Sequence, residues 1–233
     1  MEKKLNAAHN PVRRLITANF PNSYVSEQFR TLRTNINFAS PDRKIQTLVV
    51  TSASPYEGKS TTAANLAIVF AQEGKKVLLI DADMRKPTMH YTFHKENTRG
   101  LSTILTKQMT LKASILPTLI DNLELLTSGP IPPNPAELLS SLSFQSMMKS
   151  LQELYELIIF DSPPMLSVTD GQILANKCDG VVLVINAGKT QKQKAQKAKE
   201  AIVASNGKLL GAVLNNFQVP KNDLKQDYYK NIT

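Results

Sequence analysis

The sequence predicts an α/β fold: a mainly parallel, twisted sheet flanked by helices on both faces. Two observations carry this. First, short apolar runs near 46–51, 76–81, 123–127, 156–160, 180–186 and 208–214 alternate with helical patterns near 23–38, 60–73, 101–106, 135–154, 169–176 and 190–205. Strand–helix alternation of this kind builds parallel sheets covered on both sides. Second, the chain has 233 residues, long for one core but ordinary for a single α/β domain, and it contains no internal repeat.

The elements can be justified in order. The first helical pattern carries Glu27, Arg30 and Arg33 at i, i+3 and i+6. Such positions drift by about 60° per step and make one broad charged face, which alone reads as a solvated helix surface. Leu48-Val49-Val50 begins the strand series, and Ala63, Ala64, Leu66, Ala67, Val69 and Phe70 set the next helix. Val77-Leu78-Leu79-Ile80 ends in Asp81, with Asp83 two residues on and Arg85 after it. Side chains alternate along a strand, so Asp81 and Asp83 share a side if strand geometry persists that far. The Pro-rich stretch 128–135 cannot be regular structure, and Pro135 suits the first turn of the 135–154 helix. Leu157-Ile158-Ile159-Phe160 is a second buried-type strand ending in an acid, Asp161. Cys178 closes the 169–176 helix and reads as a small core residue. Residues 1–20 and 218–233 are polar end segments, expected to be mobile.

Between the first strand and its helix lies Ala-Ser-Pro-Tyr-Glu-Gly-Lys-Ser-Thr, residues 53–61. Strand, Gly-Lys-Ser loop and helix are the context of a phosphate-binding P-loop. Loop N–H groups meet phosphates at a helix N-terminus, where the dipole favours negative charge. Gly58 permits close approach of the backbone, Lys59 reaches the β- and γ-phosphates, and the Ser60 hydroxyl suits Mg²⁺. The motif normally opens with Gly, where Ala53 stands here. The expected nucleotide-binding set is Ser54, Pro55, Tyr56, Glu57, Gly58, Lys59, Ser60 and Thr61. Open α/β sheets bind ligands beyond the carboxyl ends of their strands, where Asp81, Asp83 and Asp161 all fall. A hard cation needs oxygen ligands and an attacking hydroxyl needs a proton acceptor, so Ser60, Asp81, Asp83 and Asp161 are the expected Mg²⁺ set.

Composition narrows the function classes. No apolar stretch approaches the ~20 residues of a membrane span, and the first residues lack a signal-peptide core. One cysteine excludes an intrachain disulfide and is compatible with a cytoplasmic location. The formal charge is +9, with Lys189, Lys192, Lys194, Lys197 and Lys199 concentrated in one helical pattern. Basic surfaces attract anionic lipid and nucleic acid alike, but no aromatic-interleaved basic patch, zinc-ligand spacing or helix-turn-helix points to nucleic acid.

These motifs resemble those of the bacterial tyrosine kinases that control capsule and exopolysaccharide synthesis, in particular the separate cytoplasmic kinase subunit of Firmicutes. The resemblance runs from about Ser26 to Asn216. It rests on the loop at 53–61, on Leu-Ile-Asp-Ala-Asp-Met-Arg at 79–85, on Ile-Ile-Phe-Asp-Ser-Pro-Pro at 158–164 and on Glu27-x-x-Arg30-x-x-Arg33. The stretch from Ser128 to Leu139 is also family-like. The resemblance implies a P-loop NTPase of the MinD/ParA-like branch using ATP and Mg²⁺. It implies that Lys59 stabilises the transferring phosphoryl group, that Ser60 holds Mg²⁺, and that Thr61 contacts the α-phosphate. Asp81 and Asp161 would order the metal, Asp83 would receive the tyrosine proton, and Arg85 would stabilise charge or brace the acids. Asn215 sits where related P-loop ATPases contact adenine. Glu27, Arg30 and Arg33 would assemble a ring of copies, and the cytoplasmic tail of a membrane adaptor would activate the kinase and recruit it to the inner face of the membrane. Proteins of polysaccharide synthesis are the expected further substrates.

One departure from the family stands out. Its tyrosine-rich C-terminal cluster is reduced here to Tyr228 and Tyr229, the expected phosphorylation sites. Two alternatives fit the same motifs: a MinD/ParA-like positioning ATPase that hydrolyses ATP with water, and a nucleotide-binding scaffold of polysaccharide export. The positioning ATPases carry a lysine second in the loop, where this chain has Ser54.

Overall fold

The computed structural model describes residues 14–39 and 44–218. In chain order its elements are α1 (Ile16–Asn19), α2 (Tyr24–Phe38), β1 (Thr47–Ser52), α3 (Lys59–Gln72), β2 (Val77–Asp81), α4 (Met89–Thr92), α5 (Leu101–Leu105), α6 (Leu111–Ser114) and β3 (Ile115–Pro117). There follow β4 (Leu123–Leu126), α7 (Pro135–Ser140), α8 (Leu142–Leu154), β5 (Leu157–Asp161), α9 (Asp170–Lys177), β6 (Gly180–Asn186), α10 (Lys192–Ala204) and β7 (Leu209–Asn215).

The strands form one sheet in the order β3-β4-β2-β5-β1-β6-β7. Every pairing is parallel except that of the edge strand β3 with β4. Alternation along the strands divides the core in two. Leu48, Val50, Leu79, Ile159, Val182 and Val184 face the α3 side, whereas Val49, Leu78, Ile80, Ile158, Phe160 and Leu183 pack with Phe144 and Leu151 of α8, Leu174 of α9 and Ile202 of α10. A sheet buried on both faces needs near-continuous apolar strands, and β1, β2 and β5 are buried along their whole length. Helix α3 is buried almost all round because α1 and α2 lie against it as well as the sheet.

Two expectations are corrected, and one strand is added. The segment 14–20 belongs to the packed fold rather than to a mobile tail. Asn65, fully buried on α3, accepts the Thr17 N–H at 3.0 Å and the Thr17 hydroxyl at 2.9 Å, and its amide donates to Arg14 O and Thr61 O. The 135–154 helix is two helices. Ser141 adopts extended backbone (ψ 160°) and its Oγ accepts the Phe144 N–H at 3.2 Å, so it caps α8 while ending α7. Strand β3 was not anticipated; it is three residues long and ends in Pro117, which an edge strand tolerates.

Candidate phosphoryl-transfer site

The carboxyl ends of β1, β2 and β5 lie side by side at the centre of the sheet, and the loop from Ala53 to Gly58 leaves β1 there to start α3. Gly58 has φ +97°, and a Cβ added to it would run into the Asn215 carboxamide. The positive φ favours glycine, and any Cβ would have to displace the Asn215 amide from its place beside the loop. Tyr56 also lies in the left-handed region, at φ +65°, and is 91% exposed.

The loop is fastened from within and from outside. Ser52 Oγ donates to Ser54 O at 2.8 Å, and Glu57 Oε2 accepts the Ser54 N–H at 3.1 Å. Asn215 Nδ2 donates to Glu57 O at 3.0 Å. The expected adenine-contacting residue thus stands against the loop at the end of β7.

Asp81 and Asp161 are register partners at the ends of β2 and β5, and both are fully buried. Asp81 Oδ2 accepts the N–H groups of Thr88 and Met89, each at 2.8 Å, which anchors the start of α4. Its Oδ1 is buried and has no hydrogen-bond partner. Burial first, and the neighbouring Asp161 second, push the Asp81 carboxyl up to about 7, against the pull of the two N–H donors and Lys59. Asp83 lies just past the strand end. Its Oδ1 accepts the Lys86 N–H at 3.1 Å, and its Oδ2 accepts from Lys59 Nζ at 2.9 Å.

Lys59 gathers the site. Besides Asp83, its ammonium lies 3.5 Å from Asp161 Oδ1 and 3.2 Å from Ser60 Oγ. Burial disfavours the charged amine, but Asp161 and Asp83 outweigh it and hold the Lys59 pKa above its ordinary value. A loop, a cation, a hydroxyl and three acids therefore lie together at the strand ends. Among the described residues no three His, Cys, Asp or Glu side chains are placed to share a metal ion between them. The donors still suit Mg²⁺, which keeps several waters and takes one or two carboxylates with phosphate oxygens. Ser60 Oγ and the unpartnered Asp81 Oδ1 are hard oxygen donors of that kind.

Arg85 points elsewhere. Its Nε and Nη2 bind Asp170 Oδ2 and Oδ1 at 2.9 and 3.1 Å, a bidentate pair with a fully buried carboxylate at the start of α9. It links the β2 end to α9, and the Asp170 hydrogen bonds first, with Asp83 as a smaller electrostatic contribution, hold its pKa above the ordinary value. Asp170 was missed because an acid at a helix start reads from sequence as a cap.

On α2, Arg30 pairs with Glu27 at 2.8 Å and donates to Pro21 O, while Arg33 donates to Val69 O at 2.8 Å and approaches Glu73 at 3.5 Å. Arg33 is therefore committed to α3, and Glu27 and Arg30 form the more exposed end of the charged face. Lys189, Lys192, Lys194, Lys197 and Lys199 are all exposed. Tyr228 and Tyr229 lie outside the described residues. No helix among the described residues is long and apolar enough to cross a membrane.

Comparison with known proteins agrees with this geometry. The chain matches the AAA domain family AAA_31 over residues 56–198. It is 51% identical over 229 residues to the tyrosine-protein kinase YwqD of Bacillus subtilis (strain 168), covering 98% of this chain and 96% of that protein. The crystal structure of the chimerical protein CapA2B2 superposes with a TM-score of 0.86 at 47% identity, over 88% of this chain and 90% of the other. The cell division ATPase MinD of Pyrococcus furiosus shares the fold at a TM-score of 0.64 and 22% identity, covering 76% of each chain.

Proposed function

This chain belongs to the bacterial tyrosine-protein kinases, and from that premise we propose that Lys59, Ser60 and the three acids around them transfer the γ-phosphoryl group of ATP to tyrosine. The ion pairs from Lys59 to Asp83 and Asp161 carry this reading, because they join the loop cation to the acids of two strand ends. Bound ATP supplies the phosphoryl group, and Mg²⁺ supplies charge that offsets its oxygens.

The protein's part is positioning and electrostatics. Backbone N–H groups of the loop and of the first turn of α3 hold the phosphates. Lys59 exchanges a carboxylate partner for a phosphate oxygen and so stabilises charge in the transition state. That exchange frees Asp83 Oδ2 to accept the tyrosine proton, which a phenol of ordinary pKa ≈ 10 keeps at neutral pH. Ser60, Asp81 and Asp161 hold the metal and its waters, Thr61 contacts the α-phosphate, and Asn215 lies beside the base. Arg85 braces α9 through Asp170.

The same reading extends to regulation. Copies assemble through Glu27 and Arg30, with Arg33 holding α2 in place, and each phosphorylates Tyr228 and Tyr229 of a neighbour. The tail of a membrane adaptor activates the kinase at the inner face of the membrane, and the pathway it serves is capsule or exopolysaccharide synthesis. The test is incubation with ATP and Mg²⁺, with and without the adaptor's cytoplasmic segment, followed by phosphotyrosine detection. Phosphotyrosine that depends on Lys59 is expected. ATP turnover with no phosphotyrosine in either condition would favour the positioning ATPase.

A further inference from the structure

A carboxylate inside a phosphate-binding loop opposes its own ligand, since like charges repel. Glu57 is such a group, and it is only 5% exposed. Both of its oxygens are taken by donors. Oε2 accepts the Ser54 N–H, and Oε1 accepts the hydroxyl of Thr190 at 2.7 Å, across 133 residues of sequence. Thr190 Oγ1 in turn accepts the Asn186 N–H at 2.9 Å. The hydroxyl has one proton, and it is committed to Glu57. Asn186 ends β6 and is the register partner of Asn215 in β7, whose amide holds the Glu57 carbonyl. Glu57 is thus fastened by its side chain to the turn after β6 and by its main chain to the end of β7.

We infer that Thr190 is a positioning residue for nucleotide binding: through Glu57 its hydroxyl holds the Ser54 end of the loop in the shape that receives phosphates. The inference deepens the kinase reading and rests on the nucleotide-binding half of it. The contact acts on loop shape before any bond is made or broken. Its loss therefore weakens nucleotide binding and raises the KM for ATP, while kcat changes little.

Calorimetric titration of the full chain with ADP and Mg²⁺, well below its melting temperature, tests this. Thr190→Val keeps the branched shape but strips a donor from Glu57 and an acceptor from the Asn186 N–H. The ADP dissociation constant should rise about tenfold. Thr190→Ser, which restores the hydroxyl, should stay within about twofold of wild type. Should Thr190→Val fail to fold, Glu57→Asp serves instead, because the shorter side chain cannot span Ser54 and Thr190 together; it should show the same rise. A variant with a lowered melting temperature but wild-type affinity would assign Thr190 to stability alone and overturn the proposal. The titration needs no phosphoryl transfer. A chain that binds ADP through Thr190 yet makes no phosphotyrosine would overturn the kinase reading and leave this one standing.

Discussion

Replacing Arg85 with alanine separates a brace from a catalytic cation. The guanidinium makes two charge-assisted hydrogen bonds, at 2.9 and 3.1 Å, to an Asp170 carboxylate that is fully buried. Removing one partner of a buried pair costs about 3–5 kcal/mol, because the other charge is left without compensation. That figure must be discounted here, since the Arg85 side chain is 41% exposed and water can enter where it stood. A loss of about 2 kcal/mol is the reasonable expectation, or a fall in Tm of roughly 4–8 °C for a chain of this size. Thermal and urea unfolding of Arg85→Ala would measure it. Adding Asp170→Asn should recover more than half of the loss, since a neutral amide no longer needs the cation, and the coupling in that double-mutant cycle isolates the contact. Phosphoryl transfer should survive in the double variant. Wild-type stability in Arg85→Ala together with abolished transfer would instead give Arg85 a direct part in the chemistry.

Further outcomes follow from the buried polar groups. The Asp81 carboxyl is raised from 3.8 to about 7, so the folded protein holds a proton that the unfolded chain releases above about pH 4. Its contribution to stability is present below that pH and is lost as pH rises toward 7, by about 2–4 kcal/mol. Urea midpoints of wild type and Asp81→Asn should therefore diverge over that window, with wild type losing ground; parallel curves would contradict the assignment. Asn65→Ala should lower stability by about 2–3 kcal/mol and increase hydrogen exchange at Thr17, because it removes the acceptor and donor that tie residues 14–17 to α3. Unchanged exchange at Thr17 would show that α1 is held by other contacts.

The parts of this molecule that were legible from sequence are those whose signal is local. Apolar runs ending in Asp81 and Asp161 identified two strands, which the sheet makes neighbours, and Gly-Lys-Ser between a strand and a helix placed the loop. The parts that were not legible depend on partners far along the chain. Arg85 meets Asp170 across 85 residues and Glu57 meets Thr190 across 133, and no pattern around either residue records that distance. Helix α1 has four residues, too few for periodicity, and its polar Thr17 is buried only because Asn65 receives it. The break at Ser141 did have a local signal. Serine is a favoured N-cap residue and Ser141 stands within Ser-Ser-Leu-Ser, but with Phe144 rather than Glu or Gln three residues on, the run of helix-forming residues on both sides obscured it.

The fate of the γ-phosphoryl group distinguishes a tyrosine kinase from an ATPase. ATP labelled at that position, with Mg²⁺ and the adaptor segment present, can be followed into tyrosine or into inorganic phosphate for wild type, Lys59→Met and Asp83→Asn. Wild type should place label on tyrosine. Lys59→Met should place none and lose nucleotide affinity, having lost a cation whose kind contributes a few kcal/mol in such sites. Asp83→Asn should still bind nucleotide but transfer at least about a hundredfold more slowly, since a carboxamide keeps the shape and cannot take the proton. Label found only in inorganic phosphate, or full transfer to tyrosine in Asp83→Asn, would contradict the account.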